Sequence, residues 1–200
     1  MNLLNALSTT LLHSTTTTEI KGGNLLMKKR VENDLLDFAR RHDLNWETQM
    51  ELAESRSSYV RYVLARNSTT HPDVLAKLSK DRWNWRIREA VATNPNTSVE
   101  VLQMLAVDWH YEVRFAVAKN INTSIDTLMV LACDKHWAIK QKVLVHPKCS
   151  IEILIKLSQD KDWYFRAAVA KHKNTPIGLQ KKLRLDRKAE VREAAGAYKL

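Results

Sequence analysis

Glycine and proline are scarce, with four of each in 200 residues. Four glycines leave little material for a phosphate-cradling loop, and no Gly-rich loop, GxSxG elbow or HExxH zinc helix occurs. Cysteine is scarcer still. Cys133 and Cys149 are the two present, at unmatched positions, which excludes a disulfide framework or CxxC metal knuckle and predicts reduced thiols in a cytoplasmic protein. Long apolar runs are missing too. Leu3 to Leu12 is interrupted by Asn5, Ser8, Thr9 and Thr10 and follows no basic leader, so it fits neither a secretory signal nor a membrane span.

What the chain does have is repetition. A β-branched or aromatic residue followed by a basic one recurs at Val60-Arg61, Ile87-Arg88, Val113-Arg114, Ile139-Lys140, Phe165-Arg166 and Val191-Arg192. The spacing is 26 residues throughout, except 27 at the first step. A fixed period of this length is the signature of a solenoid, in which one two-helix motif is copied and stacked. Residues 27–58 read as an N-terminal helical cap with a degenerate repeat, in which Asn33, Asp34 and Asn45 are candidate helix caps; residues 59–200 read as the array. Residues 1–26 have no period and read as disordered or as a non-native leader. Lys21-Gly22-Gly23 can be encoded as a ribosome-binding sequence, which makes Met27 an alternative start.

Within the array, columns separate by role. Thr70, Thr97, Thr123, Cys149 and Thr175 stand where a first helix should be capped, with Asp73, Glu100, Asp126 or Glu152 three residues on in most copies. Leucine pairs such as Leu102 and Leu105, or Leu128 and Leu131, give that helix an apolar face. Val91-Ala92, Val117-Ala118 and Val169-Ala170 give a second helix its small-residue core, and Asn67, Asn94, Asn120, His146 and His172 read as left-handed residues closing it.

Charged and aromatic columns carry the candidate chemistry. Asp81 with Arg88, Asp108 with Arg114, Asp134 with Lys140, Asp160 with Arg166 and Asp186 with Arg192 read as a structural ladder of ion pairs that fixes stacking, because a catalytic group is not needed five times over. Trp85, Tyr111, Trp137 and Trp163 form an aromatic column that covers seams between repeats. His146 and His172 sit one repeat apart, too far for shared zinc ligation, so no metal and no cofactor is expected. Where the copies differ, a surface remains. Tyr59, Tyr62, Arg66, Arg86, Phe115, Lys119, Lys142, Tyr164 and Lys171 lie on outer positions of the second helix, and Lys181, Lys182 and Arg184 make a basic C-terminal cap.

VRFAVAKNINTSIDTLMVLACD, IREAVATNPNTSVEVLQMLAVD and FRAAVAKHKNTPIGLQKKLRLD resemble the leucine-rich repeat variant family. The resemblance implies an all-α, right-handed solenoid of HEAT or armadillo plan, in which the second helix of each repeat is short and tight enough to count as 3₁₀. Some members carry an N-terminal cysteine cluster for an iron-sulfur centre. This chain has no cysteine before Cys133, so that cofactor is not expected.

The net charge of +10 calls for an acidic partner or serves solubility alone; nine basic against three acidic residues fall in the last thirty positions. The leading expectation is a monomeric, non-enzymatic scaffold that takes an acidic or extended protein segment on the aromatic-basic face, with no membrane partner. The alternative is a nucleic-acid-binding solenoid that contacts phosphates through the same face. A DNA glycosylase-like enzyme is a remote third, since its Trp, Asp and Arg occur here only in ladder columns.

Overall fold

The computed structural model describes residues 23–196, and every regular element among them is an α-helix. The first two are α1 (Gly23–Arg40) and α2 (Trp46–Leu52). Then come α3 (Ser58–Arg66), α4 (Pro72–Leu78), α5 (Trp85–Thr93) and α6 (Val99–Leu105). The C-terminal half holds α7 (Tyr111–Lys119), α8 (Ile125–Leu131), α9 (Trp137–Leu144) and α10 (Ile151–Leu157), followed by α11 (Trp163–Lys171), α12 (Ile177–Leu183) and α13 (Ala189–Ala194). By internal contacts the chain divides into two compact units, residues 1–101 and 102–200.

The N-terminal boundary differs from the sequence reading. Residues 23–26 open α1 rather than being disordered, and residues 1–22 of the expected leader lie outside the described residues. Asn33 and Asp34 are interior to α1 instead of capping it. The reason is packing: Leu35, Leu36 and Ala39 are buried where α1 meets α3, and that burial outweighs a local capping preference. Asn45 does cap α2, accepting from the backbone N–H of Thr48 at 3.0 Å.

A seven-residue helix alternates with a second helix of nine residues in α3, α5, α7 and α11, eight in α9 and six in the terminal α13. The second helix is short, as the resemblance implies, but α-helical rather than 3₁₀. Val113, Ala116 and Val117 are all buried, and their i, i+3, i+4 spacing needs the 3.6-residue period of an α-helix to share one face. In α8 the face is Leu128 and Leu131, both essentially inaccessible. Burying each such leucine contributes roughly 1.5–3 kcal/mol, which neither helix could gain alone. α7 packs on α9 and α8 on α10, so like helices stack on like within the C-terminal unit.

The joints between helices are also built differently from the sequence reading. Thr70, Thr97 and Thr123 are not the caps of the first helices. Their hydroxyls donate backwards, to the carbonyls of Leu64 (2.6 Å), Val91 (2.5 Å) and Val117 (2.6 Å), which satisfies acceptors left at the end of the second helix. The following residue is the cap: Ser124 accepts from the N–H of Thr127 at 3.2 Å, and Ser150 from that of Ile153 at 3.4 Å.

The asparagines are likewise not left-handed, since no described non-glycine residue has positive φ. Asn67 (φ −70°, ψ 123°) and Asn94 (φ −69°, ψ 133°) are extended. Asn67 Nδ2 donates to the carbonyls of Ala39 (3.1 Å) and Arg41 (2.6 Å), and Asn94 Nδ2 to those of Ala65 (2.7 Å) and Asn67 (2.8 Å). Each amide thus ties its repeat to the backbone of the one before. His146 takes this role in the C-terminal unit, with Nε2 3.1 Å from the carbonyl of Asn120.

Candidate partner-binding surface

Most basic residues of the regular column are consumed inside the fold. In the N-terminal unit Arg61 binds Asp81 (Nε 2.9 Å, Nη2 2.8 Å) and donates through Nη1 to the carbonyl of Ser55 at 2.6 Å. In the C-terminal unit Arg114 binds Asp134 (2.6 and 3.2 Å) and Arg166 binds Asp186 (2.8 and 2.9 Å). Lys140 binds Asp160 at 2.6 Å with its ammonium 4.3 Å from the Phe165 ring centroid. Each pair joins a second helix to the end of the next repeat's first helix, twenty positions on. The aspartate six positions before the arginine, or seven for Arg88, contributes its carbonyl instead: Arg88 donates to Asp81 (2.7 Å), Arg114 to Asp108 (2.7 Å), Arg166 to Asp160 (2.9 Å) and Arg192 to Asp186 (2.8 Å).

These pairs are nearly dry, with Arg114 and Asp134 side chains 9% and 8% exposed. Burial alone would raise the Asp134 carboxyl, but hydrogen bonds from Arg114 and from the N–H of His136 outweigh it and hold it below the usual range. For Asp186 the hydrogen bond from Arg166 is the largest influence, with the same net direction. One carboxylate oxygen also closes the inter-helix turn, as Asp134 does for the His136 N–H at 2.8 Å. The aspartates therefore cap turns, and α5, α7, α9 and α11 are preceded at the N-cap by Asn84, His110, His136 and Asp162.

With the ladder set aside, a different class of cation remains. Lys119 on α7 and Lys142 on α9 hold their ammonium groups 5.8 and 5.9 Å from the centroid of the Phe115 ring. Among the described residues neither of them, nor Lys171 on α11, has a carboxylate partner. Beside them Gln141 Nε2 donates to the Tyr164 hydroxyl at 3.4 Å, and the Trp137 and Tyr164 rings lie 5.0 Å apart at 47°. Glu112, next to this patch, is held 2.6 Å from His110 Nδ1.

The other expected site residues fall into separate places. In the N-terminal unit Tyr59 and Tyr62 stack at 6.3 Å and 14°, while Arg66 lies 5.8 Å from the Tyr62 ring and donates to its hydroxyl at 3.2 Å. Tyr62, Arg66, Glu89 and Thr93 line a cleft of about 280 Å³. Arg86 lies 5.5 Å from the Trp85 ring. The basic C-terminal group does not stay together. Arg184 donates to the Ala195 carbonyl at 2.9 Å and shares a cleft of about 560 Å³ with Trp163, Lys171, Glu190 and Glu193. Lys182 lines another cleft with Ile155 and Leu179, and Lys181 is exposed on α12.

Three features escaped the sequence reading. Trp137 is both seam and surface: it packs on Tyr164 and on Phe165 (5.8 Å) of the next repeat, yet stays 41% exposed. Trp83 and Trp109 are largely exposed, at 91% and 74%; they stand in the turns after Asp81 and Asp108, where later copies have Lys135 and Lys161. Ile125, Ile151 and Ile177, each at the first position of a first helix, are also exposed; their recurrence every 26 residues was the available signal.

Residues 85–108, which span α5, α6 and the turn to Asp108, match the family model described as leucine rich repeat variant. One repeat of the array is thus similar to a leucine-rich repeat variant unit. The same helix pair recurs on either side of the matched segment, with second helices starting at Trp85, Tyr111, Trp137, Trp163 and Ala189. Among solved structures, the chain is similar to one described as "a leucine-rich repeat variant with a novel repetitive protein structural motif", at 18% identity and a TM-score of 0.38 over 90% of this chain and 87% of that one. No curated protein matches. Among the described residues of the array, no group of three or more His, Cys, Asp or Glu could hold a metal ion, and no helix is long and apolar enough to cross a membrane.

Proposed function

We propose that the array is a non-enzymatic binding scaffold whose second-helix face takes an acidic, extended protein segment. The observation that carries this reading is the division of its cations. Arg114, Lys140 and Arg166 are neutralised by buried aspartates, whereas Lys119 and Lys142 make no ion pair among the described residues and converge on one aromatic ring. An ammonium over a ring face keeps its charge available to an incoming anion, and the ring supplies apolar contact area beside it. The acidic partner thereby receives charge complementarity and a desolvated contact together.

Titration of the full chain with a fluorescent glutamate-rich peptide tests this. Binding should weaken with added salt, and Lys119→Glu with Lys142→Glu should weaken it by at least about tenfold, roughly 1.4 kcal/mol. A peptide that fails to bind while a single-stranded oligonucleotide binds at low salt would overturn the protein reading in favour of phosphate recognition.

A further inference from the structure

We propose that the N-terminal unit carries a small-molecule site for a phosphomonoester attached to a flat ring, the chemistry of a nucleoside monophosphate. The site is a cleft of about 360 Å³ where α1 and α3 end. It belongs to the other compact unit from Lys119 and Lys142 and does not depend on the acidic-segment reading.

Both helices finish on an arginine, Arg40 in α1 and Arg66 in α3. The fold draws these ends together through Asn67, which follows Arg66. Its Nδ2 donates to the carbonyls of Ala39 (3.1 Å) and Arg41 (2.6 Å), the residues on either side of Arg40. The resulting cleft is lined by both arginines with His42, Tyr59, Tyr62 and Ser68, and no acidic residue lines it. A helix C-terminus normally disfavours an anion, because its last carbonyls point outwards. Here the carbonyls of Leu64 and Ala65 accept from the Thr70 hydroxyl at 2.6 Å and from Asn94 Nδ2 at 2.7 Å, so donors predominate in the cleft. Two carboxylates stand near. Asp37 binds Arg40 at 3.0 Å, but the two side chains are 56% and 76% exposed, and exposed pairs are weak. Glu89 lines an adjoining cleft with Tyr62 and Arg66 and makes no ion pair with Arg66 among the described residues.

These groups select the ligand. Arg66 uses Nη1 on the Tyr62 hydroxyl (3.2 Å), with its guanidinium 5.8 Å from that ring. The rest of its fork suits two oxygens of one phosphate, and Tyr62, accepting from Arg66, keeps its own proton to donate. A phosphomonoester brings about −1.5 to −2 charge and three acceptor oxygens. Two guanidinium groups, an imidazole and hydroxyls match that better than they match a carboxylate. Beside the cations, Tyr59 is 51% exposed and stacks on Tyr62 at 6.3 Å and 14°, so the outer face of its ring can take a planar group. Ligand clefts run from about 300 to 1,000 Å³, and this one, at the low end, suits one phosphate and its ring rather than a length of chain.

Isothermal titration of the full chain with adenosine monophosphate, ribose phosphate and adenosine tests the site. The nucleotide should bind at least about tenfold more tightly than either fragment. Arg66→Lys, which keeps the charge but not the fork, should weaken it severalfold, and Tyr59→Ala should bring it down to the affinity of ribose phosphate. Both variants should melt with the parent protein, since both side chains are exposed. Lys142→Glu, in the other unit, should leave nucleotide binding unchanged. A terminally phosphorylated oligonucleotide that outbinds its hydroxyl-ended counterpart, with the advantage lost in Arg66→Lys, would support the same site with a strand end as the source of the phosphate. Equal affinity of the nucleotide and either fragment would overturn the paired phosphate and ring positions, and binding of none of the three would overturn the site. Equal losses from Arg66→Lys and Lys142→Glu would overturn it too, by showing that a general charge effect was being measured.

Discussion

Arg114 and Lys119 lie five residues apart on α7 and use the same charge for different ends. Arg114 is buried, joined to Asp134 through two nitrogens and to the Asp108 carbonyl through a third. Removing it strands a buried carboxylate, and loss of one partner of a buried pair costs about 3–5 kcal/mol. Lys119 is exposed, with its ammonium 5.8 Å from the centroid of the Phe115 ring. Arg114→Ala should therefore lower the urea midpoint substantially, while Lys119→Ala should stay within about 0.5 kcal/mol of the parent. Equal losses would mean that the division into ladder and surface is wrong. The existence of both columns was legible in the sequence; which aspartate each arginine takes was not. The carboxylate partner lies twenty residues ahead in the next repeat, and the nearer aspartate, six residues back, offers its carbonyl.

At the scale of the helix pair, the decisive groups are those that join one repeat to the backbone of the preceding one. His146 replaces asparagine in this column. Its Nε2 must donate to the Asn120 carbonyl, and its Nδ1 must accept from the Lys148 N–H at 3.1 Å, so both ring nitrogens are engaged in the neutral state. Burial is the main reason its pKa is held below the usual histidine value. His172 is shifted in the same direction, again chiefly by burial. Between the ordinary value near 6.5 and the lower folded value the unfolded chain binds more protons, so stability is complete above about pH 6.5 and declines as pH falls toward the folded value. His146→Asn should flatten that decline in thermal melts between about pH 7 and pH 5. An unchanged slope would place the titration elsewhere. The column was visible as a list of Asn and His, but its role was not. A helix-terminal asparagine suggests a left-handed residue, and only the position of the preceding repeat shows the amide reaching its carbonyls.

For the whole molecule, the ladder predicts how the fold responds to acid. Asp134 and Asp186 titrate below the usual carboxylate range in the folded state, so their stabilisation is present above the unfolded value near 3.9 and is lost as pH falls through the lower folded values. Unfolding free energy, followed by urea titration from pH 6 downward, should drop steeply below about pH 4, where the net positive charge of the chain also grows. Asp186→Asn should make that limb shallower. A limb of unchanged steepness would show that the ladder carboxylates do not govern acid stability.

The 26-residue period, the helix pair and its apolar face are properties of the sequence alone, because they depend on spacings within one helix or between identical neighbours. A repeat that buries the same positions each time must show them as columns. The partner of each charge and the reach of each asparagine were decided only by tertiary structure, because those bonds cross from one copy to the next and span twenty or more residues. The candidate site follows the same division. Its residues could be named from positions where the copies differ, but only the folded repeats showed that Lys119 and Lys142 meet over Phe115 without a carboxylate, while Arg184 and Lys182 go to different clefts.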